Sequence, residues 1–133
     1  MAMITQGDIE LRMSARRLID CTDDDGDGVA DAQVVAGILA DATAVMEVAL
    51  QTAGHTIPVE VVTPFMRLQG AWIGAHLAAR RRPEWHDDKG NAPYHVEHDQ
   101  ALEELGKLAA RKSAPEGQPP PAIPVGSRER RGW

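Results

Sequence analysis

Hydrophobic positions recur at steps of three and four along most of this chain, the spacing of one face of an α-helix. The longest such run is Val34, Val35, Ile38, Leu39, Ala42, Val45, Met46, Ala49 and Leu50. It predicts a helix capped by Asp31 and stopped near Ala53–Gly54. Thr63-Pro64 opens a second long helix, a capping residue with proline at the first helical position. That helix runs through Phe65, Leu68, Trp72, Ile73, Ala75, His76 and Leu77 to the Arg80–Arg82 cluster, where cations complement the negative helix end and Pro83 blocks continuation. A last helix, from about Tyr94 to Lys112, sets Leu102, Leu105, Leu108 and Ala109 on one side.

Two shorter helices precede these. Thr5 followed by Asp8 reads as a cap with an acid in the first turn, giving a helix from about Gln6 to Arg12. Ser14 caps a second, through Ala15, Leu18 and Ile19 to about Cys21. Both are too short to persist without tertiary packing. His55 to Val62 holds Pro58 and a β-branched run and reads as an extended crossover. Glu84–Pro93, with Lys89-Gly90-Asn91, is a polar loop. The expected fold class is all-α: a small bundle of four to five helices with an extended, proline-rich C-terminal tail. At 133 residues the chain has room for one domain with a core. The expected division is a helical domain at 1–112 and a tail at 113–133.

Composition agrees with helix: 43% of residues are hydrophobic but only 4% aromatic. The net charge of −6 conceals an asymmetry. Residues 1–60 hold eleven acids against Arg12, Arg16 and Arg17, while residues 61–133 hold eleven bases against nine acids. A free-standing nucleic-acid binder carries a strong basic excess, which is missing here. The polarity suits self-association of acidic part with basic part, or simply a solvated surface. Cys21 is the only cysteine, so an internal disulfide is excluded and a reducing compartment is expected. The start of the chain lacks the basic flank and apolar stretch of a signal peptide. No apolar run is judged to approach the ~20 residues that span a bilayer. A cytoplasmic protein with no membrane partner is the expectation.

The tail, Ser113–Trp133, holds five of the nine prolines. It has too little apolar area to fold alone and is expected to be disordered in water unless a partner, most simply a neighbouring subunit, orders it. Pro119, Pro120, Pro121, Ile123, Val125, Arg128, Arg130, Arg131 and Trp133 are the candidate partner-binding residues. Arginine and tryptophan make strong interface anchors. The basic end could sit in an acidic groove or touch nucleic acid; a purely solubilising tail weighs about equally.

The sharpest local pattern is Asp23-Asp24-Asp25-Gly26-Asp27-Gly28-Val29-Ala30-Asp31, which has the D-x-D-x-D-G spacing of an EF-hand-type calcium loop. Alternate carboxylates in a tight turn converge on a hard cation, and glycine at the sixth place lets the chain reverse. Asp23, Asp25 and Asp27 would supply carboxylate oxygens, Val29 its carbonyl, and Asp31 an oxygen directly or through water. The twelfth place holds Val34 rather than a bidentate glutamate, and the eighth is Ala30. A full ligand set therefore needs Glu47 or a neighbouring subunit, and a structural Ca2+ is expected rather than a sensor. The competing view is a solvated acidic turn in which Asp31 serves only as a helix cap.

No catalytic constellation is visible. His95 and His98 lie three apart near Glu97 and Asp99, but a zinc site needs further ligands; a solvated helix face is the better account. His86 joins them as a third histidine that invites a metal or general-base reading, with no cysteine partner to complete a site. His76 reads as a half-buried helical histidine. Cys21 beside the acidic loop has no nucleophilic character.

Taken together, these segments resemble the Mu-like phage head–tail adaptor family of neck proteins. The likeness is carried by Thr5-Gln6-Gly7-Asp8-Ile9, Arg17-Leu18-Ile19, Thr22-Asp23, Gly26-Asp27-Gly28 and Asp31-Ala32, followed by the Ala-rich helix, the crossover and, more loosely, Val62–Leu77. It covers about 110 residues, and residues 17–32 are its one specific segment. Ala49-Leu50-Gln51 and His76–Leu77 depart from it, standing where the family has an aromatic-rich stretch and a tyrosine. The resemblance implies a structural virion protein and not an enzyme, made in the bacterial cytoplasm. It would form a ring, commonly of twelve copies, below the portal. The ring would extend the DNA channel without sequence-specific binding, dock its tail on the portal and carry the next neck or tail protein. Two rivals remain: a free calcium-binding EF-hand-like regulatory protein, whose helicity responds to calcium, and a small enzyme that depends on His95 and His98.

Overall fold

A computed structural model describes residues 2–109, and among these there are five α-helices and no strand. They are α1 (Gln6–Met13), α2 (Ala15–Thr22), α3 (Ala32–Thr52), α4 (Pro64–Ala79) and α5 (His95–Lys107), with a 3₁₀ turn at Pro83–Trp85. The all-α bundle expected from periodicity is what forms.

Local chemistry sets the helix starts. Thr5 Oγ1 accepts from Asp8 N and Asp8 Oδ2 accepts from Thr5 N, a reciprocal capping box that opens α1. Ser14 both ends α1, donating its N–H to Glu10, and starts α2, where its hydroxyl accepts from Arg17 N. Its φ of 73° is the strained conformation that lets one residue turn the chain between two helices. Thr63 accepts from Met66 N at the head of α4.

Helix α4 is the hub and packs on α1, α2, α3 and α5. Its small residues allow this: Gly70, Ala71, Gly74, Ala75, Ala78 and Ala79 are all buried. Met46 of α3 and Ile4 press on the backbone at Gly70, and Ile9 of α1 presses on it at Gly74. Around this helix sit Ile4, Ile9, Met13, Leu18, Ile38, Met46, Leu50, Ala101 and Leu105. The segment before α1, missed by the helical pattern, belongs to the core: Met3 and Ile4 are buried, and Met3 N donates to Thr43 Oγ1 at 2.9 Å.

Three expectations need correction. Helix α5 ends at Lys107, not Lys112; Leu108 leaves the helical region at ψ 89°, and its carbonyl is held by His55 Nε2 at 2.6 Å. Residues 110–112 lie outside the described residues. The arginines after α4 do not simply serve its own end. Arg82 Nε donates to the Asp20 carbonyl, and Arg81 donates to the Cys21 carbonyl and binds Asp24, so both cap the C-terminus of α2. Finally, α3 is 21 residues long with a mean hydropathy of 1.6 in its most apolar window, enough by length and composition to cross a bilayer. Val35, Ile38, Ala42, Met46 and Leu50 of that helix face the bundle core.

Candidate functional site

The turn between α2 and α3 is closed at its base by Asp31 N donating to the Thr22 carbonyl at 3.1 Å. Within it, carboxylate oxygens of Asp23, Asp25 and Asp27 all lie within 4.8 Å of one another. Positive φ at Gly26 (77°) and Gly28 (81°) makes the reversal, a conformation that side chains with a Cβ resist. Backbone amides converge on the same carboxylates. Asp23 accepts from Gly26, Asp27 and Gly28; Asp25 accepts from Asp27; Asp27 accepts from Val29.

These bonds sort the carboxylates. The Gly28 amide, followed by other donors, holds Asp23 below the usual carboxylate range. Asp24 is held low by the Arg81 guanidinium, 2.7 Å away. Asp25 goes the other way: the Asp27 amide pulls it down, but the Asp23 and Asp27 carboxylates and partial desolvation together push it up. The crowding of like charges around Asp25 is a repulsion that a hard divalent cation would relieve.

The donor set is three convergent carboxylates, short of the six to eight oxygens calcium takes, so water would have to complete it. Asp31 does not aim its carboxylate at the head of α3, as a simple cap would; it accepts from Asp24 N at 3.2 Å. Val29 is exposed and Val34 is half-buried against the core. Glu47 is excluded as a ligand. It lies sixteen residues along the same helix from Asp31, about 24 Å at the α-helical rise.

The histidines do not assemble a site. His95 Nδ1 pairs with the Ala92 carbonyl and His76 Nδ1 with that of Pro93, while His98 bonds Asp99 and packs tilted against His76 with ring centroids 4.5 Å apart. Burial lowers His76 below its ordinary value. His86 leaves its Nε2 buried without a partner. Cys21 is fully buried, and that burial pushes its thiol up, away from the reactive thiolate.

Two surfaces escaped the sequence pattern. One is an open groove of about 490 Å³ between α4 and α5, lined by Phe65, Gln69, Trp72, Glu97, Gln100, Glu103 and Glu104. Its signal was the seven-residue spacing of Phe65 and Trp72, two turns on one face. The other is the outer face of α3, where Ala36, Ala40, Ala44 and Val48 (65% exposed) meet solvent. The candidate tail contacts, Pro119, Pro120, Pro121, Ile123, Val125, Arg128, Arg130, Arg131 and Trp133, fall outside the described residues.

A comparison with curated proteins finds no match. The family model described as bacteriophage Mu, Gp36 matches residues 4–119. Because that span is most of the sequence and contains all five helices, the chain belongs to the bacteriophage Mu Gp36 family.

Proposed function

We propose that this Mu-like phage protein is a head–tail adaptor, a ring-forming component of the virion neck. The observation that carries the proposal is the extent of the family match, from the buried Ile4 through every helix to Pro119. The rest of the molecule is compatible with binding rather than catalysis, since Cys21, His55, His76 and His95 are engaged in backbone contacts. In this role copies of the bundle, twelve in the expected ring, sit below the portal. They extend the DNA channel and present a platform to a further neck or tail-terminator protein. DNA passes through without sequence-specific contact and no membrane takes part. The segment 113–133 joins the subunit to the portal through Ile123, Val125 and Trp133 together with its arginines.

The test is reconstitution. Full-length protein mixed with portal rings should give a second ring on the portal in electron micrographs, and a chain ending at Lys112 should stay helical but fail to attach. Normal attachment by the shortened chain would sink the docking role of the tail. No attachment by the full chain, with binding instead to another virion component, would sink the adaptor assignment.

The Asp23–Asp31 turn is assigned within this proposal as a structural cation loop, with Asp23, Asp25 and Asp27 as protein ligands and Ca2+ as the expected ion. Convergence of the three carboxylates supports it. A free calcium-regulated protein remains the second reading, and a large calcium-dependent change in exposed apolar surface would favour it.

A further inference from the structure

The groove between α4 and α5 has a distinct chemistry. Phe65, 40% exposed, and Trp72 give it an aromatic floor, while Glu97, Glu103 and Glu104 give it an acidic rim. Glu103 has an (i, i+4) partner in Lys107 at 3.4 Å, but no salt bridge among the described residues engages Glu97 or Glu104. Those two acids are seven residues apart and share one face of α5. The ring of Trp72 already takes one cation, Arg12, whose guanidinium carbon stands 5.6 Å from the ring centroid. Carboxylates beside exposed aromatic rings select guanidinium groups, which bond the first and stack on the second, and they accept a further aromatic side chain.

One segment of this chain carries that complement: Arg128, Arg130, Arg131 and Trp133 within six residues. Charge favours the pairing. Residues 1–109 hold eighteen acids and nine Lys or Arg, whereas residues 110–133 hold five Lys or Arg and two acids. Reach favours it as well. Leu108, pinned to His55, stands one turn beyond Glu104, and the described residues end at Ala109. Eighteen residues, 110–127, separate that point from the arginines in sequence, and a chain of that length can span up to about 56 Å. The far end of the groove at Glu97 is eleven residues back along α5, only about 17 Å away. A tether of this length gives an effective concentration of millimolar order, enough to populate a contact too weak to hold two separate molecules.

We propose that the groove formed by Phe65, Trp72, Glu97 and Glu104 holds the Arg128–Trp133 segment of its own chain while the subunit is free. The segment is surrendered when a partner competes for it. This rests on the tail-docking role given above and adds a storage site: the docking segment is covered in the free subunit, and attachment must displace it.

The experiment uses the full chain. Trypsin cleavage after Arg128, Arg130 and Arg131 is followed by mass spectrometry for the wild type and for Glu97→Gln with Glu104→Gln. Two screened charge pairs predict cleavage about fivefold slower in the wild type at low salt. High salt should remove the difference, and the rate should not depend on protein concentration. Equal rates in wild type and variant at low salt overturn the proposal. Protection lost on dilution overturns it too, assigning the groove to a second copy. Should the variant lose helicity, salt titration of the wild type decides alone: acceleration supports the stored tail, and a flat response refutes it. Protection without portal attachment would fault the adaptor assignment, and attachment without protection would fault only the storage site.

Discussion

Replacing Gly74 by alanine tests how closely α4 is seated, and Gly37→Ala provides the matched control. A methyl group added at Gly74 would lie 2.7 Å from Ile9 Cδ1, 2.9 Å from Ile9 Cγ1 and 3.2 Å from Ile4 Cδ1. Both isoleucines are buried, so neither can swing into solvent. Overpacking of this kind costs about 1–3 kcal/mol. Against it stands the helix preference of alanine over glycine, about 1 kcal/mol. The expected net effect is a loss of roughly 1 kcal/mol. At Gly37, also inside a helix, an added methyl meets nothing within 4 Å, so only the favourable part survives, a gain of about 1 kcal/mol. The two variants should therefore separate by about 2 kcal/mol in urea unfolding followed by circular dichroism, or by several degrees in Tm. Ile9→Val, which removes the Cδ1 methyl, should recover part of the Gly74→Ala loss in a double-mutant cycle. If Gly74→Ala stabilises as much as Gly37→Ala, the close approach of α1 to α4 is wrong.

Two other outcomes follow from the charged contacts. Asp8 closes the capping box of α1 and takes two bonds from Arg67, at 2.9 and 3.3 Å; burial raises its pKa, but these bonds outweigh it and leave the carboxyl below its ordinary value. Asp8→Ala should cost about 1–2 kcal/mol at neutral pH, a figure reduced because Arg67 is half exposed. A depressed folded value means the contribution is complete above the unfolded pKa near 4 and vanishes as pH falls through the folded one. The wild-type advantage should thus shrink in acid unfolding curves below about pH 4; an advantage that persists in acid would assign the effect to something other than this ion pair. For the acidic turn, Tm measured with and without calcium should rise in the wild type and stay level in a chain with Asp23, Asp25 and Asp27 changed to asparagine. Equal responses would leave the turn without a cation role.

Much of the bundle was legible because periodicity and caps are local properties. Thr5, Ser14 and Thr63 start their helices as their side-chain chemistry requires, and the stripe from Val35 to Leu50 faces inward as its spacing requires. What escaped depends on partners distant in the chain. Nothing near Met3 and Ile4 announces their burial, because Ile4 fills space left by Gly70 and Gly74 and Met3 is bonded to Thr43 of α3. Sequence places the arginines after α4 at their own helix end, the nearest negative pole along the chain, whereas Arg81 and Arg82 bond the end of α2. The end of α5 was misplaced because helix-forming residues continue past Lys107, while a histidine more than fifty positions earlier takes the Leu108 carbonyl. In the candidate site, the convergence of Asp23, Asp25 and Asp27 could be read from spacing. The orientation of Asp31 could not, since its carboxylate accepts from Asp24 across the turn rather than capping the helix that it opens. The aromatic–acidic groove needed the pairing of α4 with α5, which no local pattern encodes.

The bond from His55 to the Leu108 carbonyl has a geometric corollary. It fastens the residue that follows α5 to the far end of the longest helix, so that this residue moves with the body rather than swinging about it. Under any rotational symmetry relating identical copies, points fixed in this way lie on one circle at one height, each displaced from the next by the same angle.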